Sequence, residues 1–316
     1  MRLWFFLLIS FSFANANAHI FVYHRFDDIR YPSTNTSSAQ LRAQFEYLKK
    51  NNYEVVTLDK IVNSIDKNQQ IPNNWVAFTI DDSYKSFYKN GLAVFREYKF
   101  PFTIFVSTEV TQAKYPDFMN WVELKDVLKY GDVQFHSHKH PHLTHLTDAQ
   151  IIEDTKKGIE IFKSNMGFEP KYYAYPYGEY DNRVKLILSS QFKLKSLFNQ
   201  APGSVTQHSD KFDIFRFPLV GESNIKEQLK YSALNHIEWF SPKNYPKDGV
   251  LREVEAKVPN GVKNLKLFVS GDNKWRDIEV VNGIAKLKLN IKLTKDRTRV
   301  VLGSGYYQTS TKLLVK

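Results

Sequence analysis

Between His19 and about residue 200 the chain alternates short strand-type runs with longer helical ones, and this grammar restricts the fold more than any other feature. HIFVY, WVAFTI, FPFTIFVS, DVQF and KYYAY are the strand-type runs, several of them continuously apolar as in strands buried on both faces. Between them, SSAQLRAQFEYLKKNN has a Ser cap and places Leu41, Phe45 and Leu48 at helical spacing, and YEVVTL follows it. DAQIIEDTKKGIEIFKSNMG reads as an amphipathic helix closed by Gly167, and a further helix through Val184, Ile187 and Leu188 leads to FKLKSLF. Strands alternating with helices imply parallel βα units, in a barrel or a doubly wound sheet.

From about Ser241 the pattern changes. KNLKLFVSG, IAKLKLNIKL, RTRVVLGSG and STKLLVK are alternating runs separated by turn residues, with Leu287, Leu289, Ile291 and Leu293 set inward and Lys286, Lys288 and Lys292 outward. This pattern predicts a small all-β sandwich over 241–316, joined through SPKNYPKDG at 241–249. Residues 243–316 hold 16 Lys and Arg against 7 Asp and Glu, a net +9 of the chain's +11. The basic surface therefore belongs to the C-terminal quarter, where it suits an anionic envelope polymer or is simply the solvated face of a β-domain. No nucleic-acid partner is expected.

The start, MRLWFFLLISFSFANANA, has the layout of a secretory signal peptide over 1–18, with Ala16-Asn17-Ala18 as a small-x-small cleavage site. An exported chain, periplasmic or secreted, is expected, with no transmembrane helix after cleavage. There are no cysteines, so a zinc site must use His and carboxylates, the donor set of catalytic rather than structural zinc.

Five of the nine histidines fall between His136 and His145. His24, Asp81-Asp82, His136 and Tyr175-Pro176-Tyr177 all lie at the C-terminal ends of predicted strands, and in parallel α/β folds those ends share the ligand-binding face. Within HSHKH, a helical turn after the strand puts His136 and His140 on one side and His138 away from it; a continued strand would instead align His136, His138, His140 and His142, against which Pro141 argues. Two His with one carboxylate leave coordination positions open, as a catalytic metal requires. His138, His142 and His145 are then loop residues. Asp81 and Asp82 are adjacent and cannot point the same way, which favours one as metal ligand and the other as general base.

FTIDDSY, HSHKHPHLT and YAYPYGEY resemble the first three motifs of the NodB-type polysaccharide deacetylases, carbohydrate esterase family 4. VYHRFDD followed by LRAQFEYLKKNNYEVVTLDKI looks like the subgroup acting on poly-β-1,6-N-acetylglucosamine. The resemblance covers roughly residues 20–220 and implies a distorted (β/α) barrel over 19–240 that removes acetyl groups from an N-acetylglucosamine polysaccharide with a divalent metal, zinc first. By position it implies Asp81 as base, Asp82, His136 and His140 as metal ligands, and the Tyr177 backbone N–H as an oxyanion donor. Trp121, Tyr175 and Pro176 are the expected substrate groove, core packing being the other reading of Trp121.

The chain departs from the family pattern in three places. Ser83 stands where the motif usually has Gly. Ala174 replaces the Arg often found before the Pro-Tyr-Gly turn, and Arg216 in FRFP is the expected substitute beside Asp81. The late Leu-x-His motif supplying the family's general acid has no counterpart after residue 200, where His208 and His236 have the wrong surroundings; His24 is the expected substitute. The same chemistry on peptidoglycan or on O-acetyl esters, and a degenerate glycan-binding protein, are the alternatives.

Overall fold

A computed structural model describes residues 17–316. The expected leader at 1–18 lies outside those residues except for Asn17 and Ala18; Ala18 is buried and pairs with Val205. Among the described residues no helix is long and apolar enough to cross a membrane.

The first domain is built on eight strands, β1 (His19–Tyr23), β2 (Glu54–Val55), β3 (Trp75–Ile80), β4 (Thr103–Val106), β5 (Asp132–Phe135), β6 (Tyr172–Ala174), β7 (Ser196–Phe198) and β8 (Phe217–Pro218). All pairings are parallel, in the order β8-β1-β3-β4-β5-β6-β7, with β2 on the first residues of β3. β1, β3 and β4 are buried along their whole length, which is why their sequences are continuous apolar runs rather than alternating ones. The sheet curves into a half-barrel whose two edges are joined by one irregular segment: Ile214 bridges Phe198 of β7, and three residues later Phe217 pairs with Phe21 of β1. Arg216 lies at that changeover.

The crossover helices start at side-chain caps. Ser37 and Gln40 cap Ser38–Lys50 reciprocally, and Thr147 and Gln150 do the same for Asp148–Met166, which Gly167 ends in the left-handed conformation at φ 86°. On the inner face of the first helix, Phe45 meets the rings of Phe78, Phe95 and Phe100 at 5.0, 4.9 and 4.9 Å. Truncating such a fully buried aromatic side chain costs about 3–5 kcal/mol.

The C-terminal domain contains β9 (Ser232–Ala233), β10 (Glu238–Ser241), β11 (Val250–Lys257), β12 (Asn264–Val269), β13 (Trp275–Val281), β14 (Ile284–Lys292), β15 (Arg297–Ser304) and β16 (Gln308–Val315). They form one continuous sheet, β9-β16-β15-β12-β13-β14-β11-β10, parallel only between β9 and β16. The sheet curls because β13 changes partner: residues 275–279 pair with β12, and Val280–Val281 with β14. The apolar faces of both leaves, including Val254, Leu267, Ile278, Ala285 and Val300, then share one core. The sandwich expected from the sequence is thus a single curled sheet. Two of its strands, β9 and β10, begin before residue 241, and the segment from 242 to 249 connects β10 to β11 within the domain rather than linking two domains.

The two domains pack together. Leu313 and Val315 of β16 join a buried cluster with Leu143, Tyr175 and Val184 of the half-barrel.

Candidate metal centre and its cleft

The C-terminal ends of β1, β3, β5 and β6 open into a cleft of about 730 Å³ lined by His24, Asp81, Asp82, His136, His140 and Tyr177, among others. That volume lies within the range of about 300–1,000 Å³ usual for small-ligand sites.

The adjacent aspartates diverge. The Asp81 N–H extends the ladder by donating to Tyr23 O at 3.0 Å, and its carboxylate turns inward. Arg216, fully buried, donates Nη1 and Nη2 to the two oxygens of Asp81 at 2.7 and 2.8 Å, and Nη1 and Nε to Thr79 Oγ1 and Asn199 O. Burial pushes the Asp81 carboxyl up, but Arg216 and His136 outweigh it and hold the group below the ordinary carboxylate value. Asp82 leaves the strand at φ 69° and faces the other way, Oδ1 lying 3.4 Å from His136 Nε2 and 3.2 Å from His140 Nε2. Burial raises its carboxyl too, and the contact with His136 more than reverses that. Ser83 is also left-handed, at φ 56°, the conformation that favours the usual glycine; its Oγ donates to Asp82 O at 2.5 Å.

His136, at the end of β5, donates Nδ1–H to Ala174 O at 2.7 Å, leaving its Nε2 lone pair toward Asp82. The chain then does not turn helically. Ser137 and His140 are left-handed at φ 70° and 55°, and the His140 N–H donates to Ser137 Oγ at 2.8 Å. This loop, not a helix, brings His140 back beside His136. It is fixed from behind by the buried Asp154 carboxylate, which accepts from the backbone N–H groups of His138 and Lys139 at 2.9 and 3.0 Å. Burial, with His136 adding to it, pushes His140 down to about 4. His138 is buried away from the cleft with Nδ1 2.9 Å from Thr108 Oγ1, and His142 pairs with Glu179 at 2.7 Å and stacks 5.3 Å from His145.

One ligand atom from each of Asp82, His136 and His140 lies within 4.8 Å of the others. Oxygen and imidazole donors in this number suit a divalent transition metal with open positions. The Nδ1–H bond of His136 is the orientation that a metal-ligating imidazole adopts. These residues fit a metal.

His24 also lines the cleft. Gln200 Nε2 lies 3.2 Å from His24 Nε2, so that ring nitrogen accepts and Nδ1 carries the proton. The Nδ1–H is buried and has no partner among the described residues. Burial lowers the imidazole below its ordinary value, with Asp82 and Asp81 pulling it back.

Tyr177 sits at φ 58° in the Pro176–Gly178 turn, its ring stacked on His142 at 4.1 Å and edge-on to His140 at 4.4 Å. Gly178 is required there: at φ 66°, an added Cβ would lie 2.4 Å from Gln200 Cβ and 2.6 Å from its backbone nitrogen.

The expected substrate groove needs correction, because Trp121, Tyr175 and Pro176 do not line this cleft. Trp121 packs on the core and donates Nε1–H to Gln112 at 2.8 Å. Tyr175 is fully buried, stacked on Tyr180 with its hydroxyl on Phe212 O, and Pro176 is buried beside it. The cleft wall includes instead Ser33, Thr34, Tyr84, Phe118 and Gln200, together with Arg297 from the C-terminal domain, which donates to Tyr177 O. No motif marks these residues. Only a three-dimensional arrangement brings them together.

The parallel α/β half-barrel thus carries a candidate three-residue metal site beside an Arg-held carboxylate. Residues 68–193 match the model of the polysaccharide deacetylase family. The chain is 27% identical over 207 residues to a poly-β-1,6-N-acetyl-D-glucosamine N-deacetylase of Staphylococcus aureus, covering 61% of this chain and 70% of that one. An Escherichia coli protein of the same name is 25% identical over 194 residues, 48% of this chain and 29% of that one. Solved structures share the fold, two of them as follows. A Streptococcus pyogenes deacetylase in complex with acetate has a TM-score of 0.62 at 17% identity, covering 68% of this chain and 97% of that one. A Bacillus cereus polysaccharide deacetylase has a TM-score of 0.59 at 19% identity, covering 67% and 69%.

Proposed function

We propose that the protein removes N-acetyl groups from N-acetylglucosamine units of an extracellular or envelope polysaccharide, with zinc as the first choice of metal. The observation that carries this reading is the division of labour at the strand end: Asp82 turned to His136 and His140, Asp81 turned to Arg216. A divalent metal on Asp82, His136 and His140 supplies Lewis acidity at the acetyl carbonyl. Asp81, held ionised by Arg216, takes a proton from the attacking water. The Tyr177 backbone N–H is the donor assigned to the developing oxyanion. His24, which burial pushes below its ordinary value, passes to the departing amine a proton it first takes up from solvent, an uptake the two nearby carboxylates favour, while Asp81 returns the proton taken from water to solvent.

The names of the Staphylococcus and Escherichia relatives support a β-1,6-linked polymer first. The leader-like first 18 residues support an exported enzyme acting outside the cytoplasm. Acetate release from defined β-1,6 and β-1,4 N-acetylglucosamine oligomers and from peptidoglycan fragments tests the reading. Release from the β-1,6 oligomer above the others supports it, and release from none of them refutes it.

A further inference from the structure

The C-terminal domain contributes more than charge to the far surface. Beyond Arg297, the cleft continues into a second cavity of about 420 Å³ between the domains, and the two share Gln200, Pro218 and Arg297 as a common wall. Lys295, Arg297 and Arg299 line this second cavity, and no Asp or Glu does. Arg297 and Arg299 are two apart on β15 and so project to the same face, while Thr298 between them is buried on the other.

Among the described residues none of the three cations has a carboxylate within ion-pair reach, although other Lys and Arg side chains pair with carboxylates, as Lys316 does with Asp296. The nearby acids are already engaged: Asp296 with Lys316 at 3.8 Å, and Glu179 with His142 at 2.7 Å. Arg299 keeps access to solvent, and partial desolvation together with the neighbouring Arg297 holds it below the ordinary arginine value. Three like charges gathered in a concave site without counter-charge repel one another and focus a positive field on whatever enters. Arginine pairs matched to a planar or tetrahedral oxyanion relieve that repulsion through charge-assisted bonds.

We propose that Lys295, Arg297 and Arg299 form an anion subsite that binds a carboxylate or phosphate carried by the polysaccharide beside the sugar being deacetylated. This inference rests on the deacetylase reading and adds to it a preference for a glycan bearing an anionic group near the target sugar. It also gives the β-domain a place in substrate recognition, since Arg297 ties the subsite to the Tyr177 turn.

The test uses three N-acetylglucosamine oligomers of equal length on the full chain: neutral, bearing a lactyl carboxylate on the neighbouring sugar, and bearing a phosphate monoester there. Binding by calorimetry reads the subsite, and acetate release reads the reaction. The wild type is expected to bind an anionic oligomer about tenfold or more tightly than the neutral one at low salt, and this preference should shrink toward unity at about 1 M salt. The carboxylate and phosphate arms show which source supplies the anion. Lys295→Gln/Arg299→Gln should erase the preference, with thermal melting confirming that the variant is folded. No binding preference in the wild type, or a preference unchanged in the folded double variant, overturns the subsite. Preferential binding of the anionic oligomer without acetate release from any of the three keeps the subsite and refutes the deacetylase reading.

Discussion

Arg216, fully buried, holds both carboxylate oxygens of Asp81 at 2.7 and 2.8 Å from behind the cleft wall. The two residues are 135 apart in sequence and meet because the segment closing the half-barrel changes partner at Arg216. The arginine expected before the Pro-Tyr-Gly turn is Ala174 here. The carbonyl at that position orients His136, and the guanidinium comes from the opposite edge of the sheet.

Replacing Arg216 by Gln leaves a buried carboxylate without its partner. Breaking such a pair costs about 3–5 kcal/mol, so the melting temperature should fall. Asp81 titrates below its unfolded value in the native chain. Its contribution to stability is therefore present above the unfolded pKa of about 4 and is lost as pH falls through the folded value. Without Arg216 the carboxyl rises, and the acid limb of the kcat/KM profile should move to higher pH. A profile superimposable on the wild type would show that Arg216 does not tune Asp81.

The two aspartates should separate in metal content. Asp81→Asn is expected to keep about one divalent ion per chain and lose about 10²–10⁴ in rate, whereas Asp82→Asn loses both metal and rate. Metal analysis of the two purified variants decides the assignment, and the reverse pattern would exchange the roles.

Within the histidine tract, His136→Ala and His140→Ala should each abolish metal binding. His138→Ala should keep the metal and cost about 1 kcal/mol through its bond to Thr108. Loss of metal from the His138 variant alone would require a different ligand set.

Much of this was legible before the fold was known. The βα alternation gave a parallel sheet, and strand ends carrying His24, Asp81, Asp82 and His136 predicted a shared face because parallel strands place their C-termini together. Ala174 in place of the usual arginine leaves a carboxylate needing a cation, and this departure points to Arg216. Tyr175 lies in the core rather than in the groove because neighbouring side chains at a strand end point to opposite sides. The loop that brings His140 back depends on left-handed backbone at Ser137 and His140, which neither residue type announces. Arg297 and Gln200 are single residues with no surrounding pattern, and β9 is only two residues long; nothing periodic marks such elements.

Gly178 is a stringent test of the turn's geometry. Gly178→Ala forces a side chain into the left-handed region and against the Gln200 backbone. It should cost about 1–3 kcal/mol from overpacking, read as a lower denaturant midpoint, and should weaken activity by displacing Tyr177. An unchanged midpoint would mean that the turn and the Gln200 segment move apart without penalty.

His24→Ala is expected to retain metal and to slow amide hydrolysis far more than hydrolysis of activated acetyl esters, whose leaving groups need little protonation. Parallel rate measurements on the two substrate classes check this. An equal loss on both would assign His24 a positioning role.

The most direct measurement is acetate released per chain from a β-1,6-linked N-acetylglucosamine oligomer, followed with and without chelator and after metal is restored. The predicted result is release that stops on chelation, returns with about one equivalent of divalent metal, and is absent from Asp82→Asn under both conditions. Release that survives complete metal removal, or that Asp82→Asn sustains at the wild-type rate, would contradict a metal-dependent site on Asp82, His136 and His140.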